Sequence, residues 1–227
     1  MDKRFLSILV GIVVVLVGIF AFTQHSSNKG NSSGGTPTNH ISGQDQKHVT
    51  LMEYGDYECP VCGAYYQPLK TAVAQYSQDI YFQFRNLPLT SIHPNAFAAA
   101  RAAEAAGLQN KYWQMHDALY DNQDPSGGSG WVADRGDVLN DYFVKFAQQI
   151  GISNIAKFKT DYASDQVNGY ITADLNAFAK TGQEQATPTF FLDGKYLSNN
   201  QLVDSNNLPS AAKIGAAIQA EINKKNQ

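Results

Sequence analysis

Val49-Thr50-Leu51-Met52-Glu53-Tyr54-Gly55-Asp56-Tyr57-Glu58-Cys59-Pro60-Val61-Cys62 is the stretch on which the fold turns. Val49–Tyr54 reads as a buried strand, Gly55–Glu58 turns the chain, and Pro60 opens a helix that runs to about Tyr76. Proline suits the first helical position, where its missing N–H is no loss. Cys59 and Cys62 are the only two cysteines of the chain. At a helix start they lie within disulfide reach. Closing so short a ring contributes about 2 kcal/mol by chain entropy, against about 4.7 kcal/mol for a loop of about 100 residues. A bond that forms, adds little stability and reopens reads as chemistry rather than as a staple.

The local electrostatics sharpen this reading. The spacing places Cys59 at the helix N-cap, where the free N–H groups of the first turn and the macrodipole favour a thiolate. Cys62 falls one turn inside, shielded. Cys59 is therefore expected to be the exposed attacking sulfur of low pKa, and Cys62 the buried sulfur that resolves a mixed disulfide.

Outward from this segment, Ile80–Arg85 reads as a second strand, with Ile80, Phe82 and Phe84 on one face. The pattern then changes to helices. An alanine-rich helix runs from His93-Pro94 to about Ala106, and Lys111–Asp121 carries apolar residues at helical spacing. A Gly/Ser-containing loop covers Asp124–Gly136. Amphipathic stretches follow from Val138 to Ile150, from Ile155 to Tyr162 and from Val167 to Phe178. Strands return at Thr189–Leu192 and Lys195–Leu197, joined by an Asp193-Gly194 hairpin turn. Pro209 opens a last helix. The order predicts an α/β sheet with a helical insertion at about 88–182 between its halves.

The 227 residues allow one sizeable domain, taken here as 48–227. Net charge is −3, and no Lys/Arg block marks a phosphate-reading face, so no nucleic acid is expected as a partner. Lys3-Arg4 precede an apolar run from Phe5 to Phe22. As a helix it would span ~27 Å, enough to cross a bilayer with the N-terminus in the cytoplasm. Residues 1–23 thus read as a membrane anchor, with a cleaved signal peptide and secretion as the alternative. Either way the rest of the chain lies outside the cytoplasm, where disulfides persist. Residues 24–47 are rich in Ser, Asn, Gly and Thr and read as a flexible tether, with His25 and His40 solvated within it.

The strand with Glu53, the Cys59-Pro60-Val61-Cys62 motif, the helical insertion and Thr187-Pro188 before the hairpin together resemble the DsbA-like thiol-disulfide oxidoreductases, of thioredoxin fold, over roughly residues 48–224. The run from His93 to Lys111-Tyr112-Trp113-Gln114-Met115-His116-Asp117 is similar to the helical domain of membrane-tethered or secreted relatives. The resemblance implies that Cys59 is the nucleophile and Cys62 the resolving thiol. It implies a cis Pro188 beside the sulfurs, with Thr187 backbone groups free to pair with an extended substrate. Pro60 and Val61 complete the implied substrate-contacting set. The family keeps an acid at the position of Glu53, and a carboxyl on a buried strand is costly unless it titrates or finds a partner. Glu53 is therefore expected to accept the Cys62 proton, the alternative being a partly exposed side chain at a strand edge. Val61 stands where the most oxidising relatives carry a histidine, which implies a less oxidising pair than in DsbA itself.

The implied activity is introduction of disulfides into unfolded or reduced exported proteins by a monomer without a bound cofactor. Recycling would come from a membrane quinone-linked oxidase or a small-molecule oxidant. The same residues suit a reductase or isomerase, although isomerases usually carry a dimerisation domain. Two further classes compete with this reading. A copper or zinc carrier would use Cys59, Cys62 and His93; the Pro-Val dipeptide and Thr187-Pro188 argue against it, and no metal is expected. A non-enzymatic holdase would not need the cysteines. His93 is expected first as a helix N-cap, His48 as exposed, Glu58 as solvated, and His116 and Trp113 as packing residues. Tyr54, Tyr57, Tyr65 and Tyr66 are expected to divide between core and an apolar rim that receives unfolded chains.

Overall fold

The computed structural model describes residues 35–227 apart from residues 125 and 127. The expected anchor, most of the tether and His25 lie outside the described residues. Among the described residues no helix is long and apolar enough to cross a membrane.

Five strands form one sheet: β1 (His40–Gly43), β2 (Val49–Gly55), β3 (Ile80–Asn86), β4 (Thr189–Leu192) and β5 (Lys195–Leu197). Their spatial order is β1-β3-β2-β4-β5. β2 and β3 are parallel, with Val49 opposite Ile80 and Gly55 opposite Asn86. Parallel neighbours need a crossover, and α1 (Pro60–Gln75) supplies it. β4 runs antiparallel to β2, with Glu53 opposite Phe190, so β2 sits at the centre of the sheet. The last helix, α7 (Ala211–Lys225), packs against α1 and β2.

Among the described residues, five α-helices stand between β3 and β4: α2 (Ala96–Gly107), α3 (Tyr112–Asp121), α4 (Gly136–Gln149), α5 (Ile155–Tyr162) and α6 (Asp165–Ala179). α2 is the hub, touching each of the other four. Ala99, Ala100, Ala102, Ala103, Ala105 and Ala106 are all buried. Alanine combines the best helix propensity with the smallest side chain, so a helix surrounded on every side is built most closely from it. The loop before α4 also contributes to the core: Trp131 in its short 3₁₀ turn is fully buried and donates from its indole to the Leu119 carbonyl (3.0 Å).

The chain from Thr36 onward is not a free tether. His40–Gly43 forms β1 and pairs antiparallel with β3. Thr38 donates its N–H and its hydroxyl to the buried Asp174 carboxylate of α6 (both 2.7 Å). His40 stacks on Tyr112 and binds Glu104 of α2 at 2.9 Å. Asn86 joins the same buried acids from β3. The polar residues that gave this segment its tether-like composition are the partners of acids far away in sequence. A buried carboxylate without such partners would be strongly destabilising. His48, as expected, is exposed, in the turn before β2.

Candidate active site

Cys59 is the N-cap of α1, with extended backbone angles (φ −69°, ψ 121°), and Pro60 follows at the first helical position. The Gly63 N–H donates to the Cys59 carbonyl (3.1 Å), opening the helical ladder. Both cysteines are free thiols here. Cys62 is 1% exposed and Cys59 5%, so the attacking sulfur expected to be exposed is itself largely covered. Part of that cover is the Thr187–Pro188 loop: the Cys59 thiol points at the Thr187 carbonyl (3.5 Å), and the Thr187–Pro188 bond is cis. Val61, by contrast, is half exposed.

The thiol of Cys59 is pulled down to about 6. A hydrogen bond from Cys62 is the main cause; burial opposes it, and Thr187 with the backbone N–H groups of Cys62 and Val61 adds to it. The neighbouring sulfur moves the other way. Burial, then the contact with Cys59, pushes the Cys62 thiol well up. One sulfur is thus ionised near neutral pH and the other is held protonated until something removes its proton.

Glu53 supplies a group able to do so. It is buried on the central strand rather than at a sheet edge, and among the described residues its carboxyl has no hydrogen-bond partner. Burial, and next the charge of Cys59, push it up to about 8. Glu53 and Cys62 line one cavity of about 210 Å³.

Three residues that hold this turn were not singled out from the sequence. Asp56 accepts from the Glu58 N–H (2.8 Å), the Leu89 N–H (2.9 Å) and His93 Nδ1 (2.7 Å), tying the turn before Cys59 to the loop after β3. His93 is therefore not a helix cap; Asn95 stands at the N-cap without a side-chain capping bond, its amide donating instead to the carbonyls of Trp131, Val132 and Asp134. The Asp56 hydrogen bond raises the His93 pKa, and the Cys59 charge adds to it. Glu58 is not solvated: it accepts from the Asn95 N–H at the start of α2, and burial raises its pKa. Asn199 donates to the Pro188 carbonyl (3.0 Å), while Tyr65 donates to the Asn199 carbonyl (3.2 Å). Gln123, after α3, donates to the carbonyls of Tyr57 (2.7 Å) and Cys59 (3.0 Å). Gln123→Ala should therefore lower stability by about 1–3 kcal/mol, measured by denaturant unfolding, because it leaves the Tyr57 carbonyl unpaired and the Cys59 carbonyl with the Gly63 N–H alone. Apart from the local Asp56–Glu58 bond within the turn, these partners carry no local sequence signal, since their bonds join residues far apart in the chain.

Tyr54, Tyr57, Tyr65 and Tyr66 are all buried, so none forms an apolar rim. The exposed apolar side chains of this region are Val61 and Ile92, the neighbour of His93. Among the described residues no three metal-binding side chains converge, and His93 turns to Asp56 instead of joining the sulfurs.

The thioredoxin family model matches residues 35–207. Among curated proteins the chain is 32% identical to the Na(+)/H(+) antiporter NhaA 3 of Salinispora tropica over 156 residues, which is 69% of this chain and 22% of that protein. The chain spans less than a quarter of that relative, so this likeness concerns one part of it. Among solved structures, BdbD from Bacillus subtilis in its oxidised form superposes with a TM-score of 0.65 at 20% identity, covering 83% of this chain and 97% of that one. The thiol-disulfide exchange protein alpha-DsbA2 from Wolbachia pipientis superposes with a TM-score of 0.60 at 17% identity, covering 82% and 86%. The matched span takes in the β2–α1 turn with both cysteines, the helices of the insertion and the Thr187–Pro188 loop, and the chain belongs to the thioredoxin family, with the fold of its DsbA-like members.

Proposed function

We propose that this protein is a thiol-disulfide oxidoreductase that works outside the cytoplasm and introduces disulfides into exported proteins. The observation that carries the reading is the split between two adjacent sulfurs: Cys59 pulled down to about 6 at a helix N-cap beside Thr187, Cys62 pushed up and buried behind it. A low-pKa sulfur is a good attacking and leaving group, and a neighbouring protonated thiol is its natural resolving partner.

In the oxidising direction a substrate thiolate attacks Cys59 of the disulfide. The Cys59–Cys62 bond breaks, its electron pair stays on Cys62, and Glu53 supplies the proton that this sulfur takes. A second substrate thiol then attacks the mixed disulfide and leaves the substrate oxidised and both enzyme cysteines reduced. Thr187 and Pro188 would pair with the extended substrate backbone, while Pro60 and the half-exposed Val61 meet its side chains. Unfolded exported proteins suit such a site, which selects a backbone and a thiol rather than a sequence. Anchoring through residues 5–22 would place the enzyme at the outer face of the cytoplasmic membrane, where a quinone-linked oxidase or a small-molecule oxidant would restore the disulfide.

The oxidative direction rests on the helical insertion shared with the oxidase branch, and reduction or isomerisation uses the same chemistry. Thiol trapping in cells decides: a pair held mostly as the disulfide supports the oxidase, and mostly dithiol supports the alternative. The pKa of Cys59 also sets an expected potential. A thiolate at about 6 is less stabilised than the value of about 3.5 in DsbA, so the pair should titrate against glutathione clearly below about −120 mV. A potential at or above that figure contradicts the assignment of Val61 as the moderating residue.

A further inference from the structure

The cavity that reaches Glu53 and Cys62 is lined on its far side by His116, with Trp113, Tyr66 and Tyr120 around it. Its mouth lies between α1 and α3, where the half-exposed pair Lys70 and Asp117 meet at 2.9 Å and the exposed Ala74 forms part of the wall. Cys62 and Glu53 are themselves closed to solvent. The cavity gives a proton that leaves or reaches Cys62 a route to the surface, and a polar path through an apolar cavity needs groups that accept and donate along it.

His116 is placed for that role. Its side chain is only 6% exposed and sits edge-on to Phe84 (4.9 Å between ring centroids) and Tyr120 (5.1 Å). Nδ1 faces the Asp117 carboxylate at 3.4 Å, and an ionised carboxylate only accepts, so Nδ1 carries the hydrogen. Nε2 is then an acceptor; it is buried and has no partner among the described residues. A ring packed for apolar contact alone would more cheaply be a phenyl group, since an unpaired buried acceptor is destabilising. The groups facing it are Lys70 and Tyr66 from α1, and Asp117, Tyr112 and Tyr120 from α3. Tyr57 faces it from the active-site turn and His40 from β1. Burial keeps the imidazole neutral near pH 7 by lowering its pKa, while burial raises the four tyrosines, so none of the phenols competes as a base.

We propose that His116 is the proton relay between the buried Glu53–Cys62 pair and solvent, through water in this cavity, with Asp117 and Lys70 at the exit. This rests on the oxidoreductase reading above and adds a residue to it. When Cys62 attacks a mixed disulfide on Cys59, its thiol proton passes to Glu53, the Cys62–Cys59 bond forms, and the substrate sulfur leaves with the electron pair of the broken bond. Glu53 then passes the proton to Nε2 through water, and Nδ1 releases one at the mouth. In the opposite direction the same chain delivers a proton to the Cys62 thiolate. His116 touches neither sulfur substrate nor product and is a positioning and relay residue, not a catalytic one.

Reaction of the reduced full-length protein with dithiobis(nitrobenzoate), an aromatic disulfide oxidant, separates the two sulfurs. Cys59 attacks first and releases one thionitrobenzoate; Cys62 then closes the disulfide and expels the second. In His116→Phe the first phase should stay within about twofold of wild type while the second slows about tenfold, with a larger solvent deuterium effect and recovery on adding imidazole. Ala74→Trp, a surface change that plugs the mouth and leaves the core intact, should slow the second phase in the same way even where His116→Phe does not fold. Second phases unchanged in both variants overturn the relay. So does slowing confined to His116→Phe without imidazole recovery, which marks a packing role. A first phase in wild type no faster than that of an ordinary thiol overturns the oxidoreductase reading instead.

Discussion

Cys59→Ser should abolish disulfide exchange, lowering it by at least about a thousandfold, because a hydroxyl at this N-cap stays protonated and neither attacks nor leaves as a thiolate does. Cys62→Ser should behave differently. Cys59 keeps its helix-terminus N–H groups and Thr187, and the hydroxyl that replaces the Cys62 thiol still donates to it, so its thiol pKa should stay well below that of an ordinary thiol. It should still attack, and the mixed disulfide with substrate should accumulate because nothing resolves it. Non-reducing electrophoresis and mass spectrometry of the trapped adducts read this outcome directly. Both variants should fold, since the four-residue ring contributes only about 2 kcal/mol when closed. Full activity in both would leave only the holdase reading standing.

Glu53→Gln should make the protein more stable at alkaline pH and slower at neutral pH. The sign follows from where the folded carboxyl titrates. In the unfolded chain it ionises near 4.5, in the fold at about 8. Below pH 4.5 both states are protonated and stability is full. Between 4.5 and about 8 only the unfolded chain has released its proton, so stability falls as pH rises, and above about 8 the loss is complete. The difference between Glu53→Gln and wild type should therefore be small at pH 4 and grow to on the order of 4 kcal/mol at pH 9. Cys59 works in the opposite sense in the reduced protein, gaining stability from about 6 to 9 as its folded thiolate forms first. Because the charge of Cys59 also raises Glu53, the two titrations are linked, and the comparison reads Glu53 together with that coupling. The kinetic cost falls on Cys62: without a carboxylate to take its proton, closure of the disulfide should slow by about a hundredfold. Unfolding curves that respond to pH identically in both proteins would place the Glu53 carboxylate in water.

The fold was largely legible because its signals are local. Alternation in Ile80–Arg85, the Asp193-Gly194 hairpin and helical spacing in the insertion each reside within one element, and each element appears where its pattern lies. The misreadings share one physical origin. Polarity between Thr36 and Gly43 looks like solvation until Asp174 and Glu104, brought in by α6 and α2, turn out to be what those groups bind. His93-Pro94 looks like a helix start until Asp56 takes the imidazole. Four tyrosines near the cysteines look divided between core and rim until α3 covers Tyr57 and Tyr66, and β4 covers Tyr54 and Tyr65, and all four enter the core.

Two cysteines at a proline-opened helix, behind a strand with an acid, were enough to point to the sulfur chemistry proposed above, because the N-cap position and its free N–H groups follow from the spacing alone. Only the tertiary structure supplies the route proposed for the proton. Glu53, Cys62 and His116 come from three elements, and the cavity that joins them exists only once α1 and α3 pack against the sheet. A thiol pKa is set partly by local backbone, whereas the fate of a buried proton depends on every wall around it.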